Sequence, residues 1–75
     1  MSSQYNIINL LNYSQSQLDI LMPGTKVNSL ADAIHLNSFA IRLSKCSHAE
    51  DISDAIFKIS RRMINLYQQK QAHKI

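Results

Sequence analysis

Between Ser47 and Gln69, apolar residues recur as Ala49, Ile52, Ile56, Ile59, Met63 and Leu66, at spacings that alternate between three and four. A half-buried strand hides every second residue, so this pattern belongs to a helix with one apolar seam. The stretch has no Gly or Pro to interrupt it. At about 1.5 Å per residue it makes a rod roughly 33 Å long. Such a seam has to be covered, and a chain of 75 residues has little to cover it with. Domains this small hide only about 60% of the surface that their unfolded chains expose.

The rest of the chain supplies two more helical stripes. In residues 4–22, Ile7, Leu10 or Leu11, Leu18 and Leu21 fall on one side, and Asn6, Asn9, Asn12, Gln15 and Gln17 on the other. Ser14 interrupts the stripe, which leaves either one helix or two short ones. Pro23-Gly24 ends the element, since Pro cannot continue the backbone ladder and Gly takes the turn. A second helix is expected over residues 29–45. Ser29 with Asp32 forms a capping-box pattern, and Asn28 is a rival cap. Apolar residues from Leu30 to Leu43 cover most of the circumference, which predicts that this helix is the most buried of the three. A turn at its centre, Asn37-Ser38, is the alternative to a continuous helix. Ser47 with Glu50 gives a second capping-box pattern for a helix over 48–69, followed by a polar tail at 70–75. The expected fold is one all-α domain spanning 1–75. It is a small three-helix bundle or helical hairpin with a long C-terminal helix.

Few side chains offer chemistry. Cys46 is the single cysteine, so no disulfide can form within one chain, and a reducing compartment is expected. No basic-then-apolar leader opens the sequence, and no apolar run approaches the roughly 20 residues of a membrane span. The expectation is a soluble cytoplasmic protein that does not enter membranes. Cys46 and His48 are close in sequence, but a nucleophilic pair needs a third group and a cleft. A structural zinc site needs four ligands, and His35 and His73 lie far along the chain. Gly24 is the single glycine, so no phosphate-cradling loop exists. Neither an enzyme nor a cofactor, metal or small-molecule substrate is expected.

Two functional readings follow from the surface. The chain is only 17% charged, its polar surface being made mainly of Ser, Asn and Gln. A surface this neutral is poorly protected against association. The long helix also has more seam than two shorter helices should reach. Ile59, Met63, Ile64, Leu66 and Tyr67 are therefore expected to form an intermolecular surface, for a homodimer or a protein partner. On this reading the protein is a small regulatory or adaptor protein.

The second reading starts from charge. The net charge is +3, and from Lys58 onward five bases meet no acid. That tail suits an acidic protein, a nucleic acid or an anionic surface, or is simply a solvated helix end. Residues 30–42, with Leu30, Ala31, Ile34, Leu36 and Ile41 in the apolar positions, resemble the helix-turn-helix of small repressors. The resemblance implies a DNA-binding regulator, with Asn37, Ser38, Arg42 and Lys45 near DNA and Arg61-Arg62 adding phosphate contacts. It departs from the repressor pattern at His35, where a turn Gly is usual. A continuous helix explains the same residues. Asn37-Ser38 separates the readings: a turn there favours DNA, an unbroken helix favours the adaptor.

Overall fold

The structure, a computed structural model, describes residues 3–72. It contains three helices and, among the described residues, no strand. α1 spans Ser3–Leu21, α2 spans Leu30–Leu43 and α3 spans Glu50–Ala72. Of the expected polar tail, residues up to Ala72 extend α3, and residues 73–75 lie outside the described residues. So does His73.

α3 lies against both other helices, while α1 and α2 make no close backbone contact with each other among the described residues. Both run antiparallel to α3. Gln17 sits beside Arg62, and Leu21 beside Ala55 and Ile59. Asn37 meets Ser60, and Ser44 lies by Glu50 and Ser53. The core is one cluster. Ile7, Leu11 and Leu18 come from α1, Ala33, Leu36 and Ala40 from α2, Ile56, Ile59, Met63 and Leu66 from α3, and Val27 from the first connection.

α1 is unbroken through Ser14, which is fully buried. One continuous helix of 19 residues is about 28 Å long and reaches most of α3. Its buried stripe selects Leu11 over Leu10, and Leu21 ends half outside it at 36% exposure. Gly24 then turns the chain at φ 90, a conformation open to glycine without strain.

The first connection is tied on two sides. The Gln15 amide donates to Thr25 O at 2.8 Å and accepts from Val27 N at 3.0 Å. From α3, the Tyr67 hydroxyl donates to Val27 O at 3.1 Å. Gln15 also donates to Asp19, whose carboxylate pairs with Lys26 at 3.2 Å. That amide, and then Lys26, hold the Asp19 carboxyl below the usual carboxylate value. Any stability this gives is present above the unfolded value and is lost as pH falls through the lowered one.

Ser29 is the N-cap of α2, accepting from Asp32 N at 3.2 Å, while Asp32 accepts from Asn28 N at 3.1 Å. The capping-box expectation is met there. The second one is not. The chain turns through His48 at φ 70, and Ala49 accepts the first bond of α3 from Ser53 N. Ser47 is thereby left outside the cap position.

One further expectation is corrected. Ile52 is 49% exposed, and its neighbour Ser53 is buried in its place. α1 stops at Leu21, beside Ala55 and Ile59, so the first turns of α3 pack on α2 alone. α2 has the smallest share of exposed residues of the three helices, yet part of its apolar surface is left in water. It meets only α3, and Ile34 and Ile41 stand 49% and 45% exposed on its flank.

Ser14 is the buried side chain whose hydroxyl has no hydrogen-bond partner among the described residues. Ser14→Ala removes that unpaired group and favours the helix, so it should stabilise the fold by about 1 kcal/mol. In a thermal melt the midpoint should rise by about 5 °C. A midpoint that falls would show that the hydroxyl is satisfied.

Burial, and then the nearby charge of Asp32, push the Tyr67 hydroxyl above the usual tyrosine value. The folded state favours the protonated form, which is the form that donates to Val27 O. This stability is therefore complete below the ordinary tyrosine value and is lost as pH rises through the raised one. Tyr67→Phe should cost about 1 kcal/mol near neutral pH. It should also flatten the alkaline decline in a denaturant titration series. An unchanged decline would remove Tyr67 from the account.

Candidate interaction surface

The residues expected to form an intermolecular surface are mostly inside the protein. Ile59, Met63 and Leu66 are 8%, 1% and 6% exposed. Ile64 and Tyr67 are partly buried and pack against the same core. The geometric premise fails because α1 continues through Ser14 and covers the distal half of α3. Apolar surface is left over elsewhere.

That surface lies along both borders of α3. On the α1 side, Ile20 and Leu21 share a groove with Ala55 and Ile59, edged by Gln17, Lys58 and Arg62. Ile20 is 80% exposed, and Leu10 and Tyr13 are exposed further along the same helix. Their spacing, 10, 13, 17, 20 and 21, puts them on one flank of α1. On the α2 side, Ile41 and Phe57 share a groove with Ala40, Ser44 and Ser53, edged by Glu50 and Asp54. Phe57 is 37% exposed. Ile34 lies two turns before Ile41 on the same side of α2. A sequence signal existed for some of these residues: Tyr13, Ile20 and Phe57 sit off the main stripes of their helices.

Between the two borders runs the outward face of α3. Glu50, Asp51, Asp54, Lys58, Arg61 and Arg62 are all exposed there. Asp54 and Lys58 pair along the helix at 3.2 Å, with both side chains largely in water. Such a pair is worth well under 1 kcal/mol. Arg62 reaches Gln17 of α1 at 3.3 Å.

The residues of the helix-turn-helix reading do not come together. α2 is one helix through Asn37-Ser38, so the turn that this reading requires is absent. Asn37 faces α3 and donates to Ser60 Oγ at 3.0 Å, while Ser60 donates to Phe57 O. Both are spent on holding two helices together. Arg42 and Lys45 are exposed near the end of α2, which lies by the acidic start of α3. Arg61 and Arg62 stand about three turns along α3.

Cys46, His35 and His48 are exposed, and no group of three potential metal ligands gathers among the described residues. No helix of the described residues is long and apolar enough to cross a membrane.

The different environments along α3 set a contrast in mutational response. Met63→Asp and Leu66→Asp place a charge in the core and should unfold the chain, a loss of about 3 kcal/mol or more. Ile20→Asp and Ile41→Asp stand at exposed sites and should change stability by about 0.5 kcal/mol. Helical circular dichroism with chemical denaturation separates the two classes. A folded, helical Leu66→Asp protein would show that the distal half of α3 is surface after all.

Comparison with known protein families, characterised proteins and solved structures finds no match to this chain.

Proposed function

We propose that this is a small non-catalytic regulatory or adaptor protein that acts through protein–protein contact and self-associates through its C-terminal helix. The observation that carries the reading is the pair of apolar grooves bordering α3, with Ile20 and Leu21 in one and Ile41 and Phe57 in the other. Apolar side chains gathered in this way are costly to leave in water and favour a partner's surface. The low charge of the chain offers little to oppose association. The single cysteine, exposed and free, fits a reducing compartment such as the cytoplasm.

DNA binding is the weaker reading. It depended on a turn inside residues 30–42, and that segment is helix throughout. The bases of α3 remain available for phosphate contact, but a lone basic stretch carries no sequence readout.

Affinity capture from the native cell tests the two readings together. The tagged wild type should retain a protein, its own copy or another, and the Ile20→Asp/Phe57→Asp variant should release it while staying helical. In a mobility assay at physiological salt, no sequence-dependent shift of duplex DNA is expected. A tight, sequence-dependent shift, weakened by Arg42→Ala or Lys45→Ala, would overturn the proposal.

A further inference from the structure

The charges on the outward face of α3 are arranged antisymmetrically. Glu50 and Arg62 stand six residues either side of Ile56, Asp51 and Arg61 five, and Asp54 and Lys58 two. All six side chains are exposed and lie on one face of the helix. The helix dipole accounts for Glu50 and Asp51 in the first turn but not for the three bases. Its effect fades within the first and last turns, whereas Lys58, Arg61 and Arg62 stand more than two turns before α3 ends at Ala72.

The apolar borders flank this charged stretch on either side, one beside Ser53 and Phe57 of α3 and the other, further along the helix, beside Ala55 and Ile59. One groove holds Ile41 against Phe57, and the other holds Ile20 and Leu21 against Ala55 and Ile59. The first is edged by the acids Glu50 and Asp54 and the second by the bases Lys58 and Arg62, so together they span the change of sign.

From this arrangement we infer that the outward face of α3 docks onto the same face of a second copy, antiparallel, about a two-fold axis that crosses that face at the level of Ile56 along the helix. The inference rests on the protein-contact reading above and names its partner. The opposed direction lays Glu50, Asp51 and Asp54 of one copy over Arg62, Arg61 and Lys58 of the other. A parallel pairing would set acid on acid and base on base. The two-fold also brings each apolar groove beside its own counterpart, as an isologous interface requires. Ile41 and Phe57 then face their equivalents along one edge, and Ile20 and Leu21 theirs along the other. The charges set direction and register, and the apolar edges supply the burial.

The test exchanges the charges on the full-length chain. One variant carries Lys58→Glu and Arg61→Glu, and a second carries Asp51→Lys and Asp54→Lys. All four positions are exposed, and circular dichroism checks that each variant keeps its helix content. Sedimentation equilibrium should find the wild type dimeric, with a dissociation constant that rises with salt. Each variant alone should associate at least roughly tenfold more weakly, because four of the six opposed pairs across its two-fold become like-charged. An equimolar mixture of the two should recover the dimer mass, since every opposed pair is again of opposite sign. A wild type that stays monomeric near millimolar concentration overturns the dimer, and so does a variant that dimerises like the wild type or a mixture that stays monomeric. A monomeric wild type leaves the capture experiment to decide whether some other protein is the partner.

Discussion

Ile56, Ile59, Met63 and Leu66 meet residues of α1 and α2 in one cluster, and the rest of the fold hangs on that contact. Each of these side chains contributes roughly 1.5–3 kcal/mol when withdrawn from water. A helix cap contributes about 1 kcal/mol, and an exposed ion pair such as Asp54–Lys58 less. The seam of α3 thus outweighs every local device in the chain. It also explains the architecture. α1 and α2 have no close backbone contact with each other, so each is held in place by its own side of α3.

The polar ties then orient what the seam gathers. Gln15 binds the first connection to α1, and Tyr67 binds the same connection to α3. The chain is steered from the end of α1 to the start of α2 without a long loop. Asn37 and Ser60 set α2 against α3 across the core. With both neighbours fixed on one side of α3, its other side is left facing water, carrying its charges between two apolar borders. Packing inside the monomer therefore decides which surface is offered outside it.

Much of this was legible in the sequence. The seam of α3, the three helices, the stop at Pro23-Gly24 and the Ser29 cap all follow from local patterns that the structure keeps. The failures have one physical cause: local pattern does not say where a neighbouring helix ends. Ser14 looked like a break because Ser favours helix ends, yet tertiary packing holds it mid-helix and buried. Reading α1 as short left Met63 and Leu66 apparently uncovered. Reading the seam as uniformly buried put Ile52 inside, though α1 does not reach it and Ser53 faces α2 instead. The clamp made by Gln15 was invisible, because an amide on a polar stripe gives no sign that it folds back on a loop ten residues later. The grooves were legible only in part, through Ile20 and Phe57, which sit off the main stripes of their helices.

Native-state amide hydrogen exchange tests most directly whether α1 covers the full seam of α3. The covered seam predicts that amides from Leu11 to Leu18 and from Ile59 to Leu66 open together, with protection at the level of global unfolding. Fast exchange across α1, with α3 still protected, would mean that α1 does not cover the distal seam and would contradict the fold described for it.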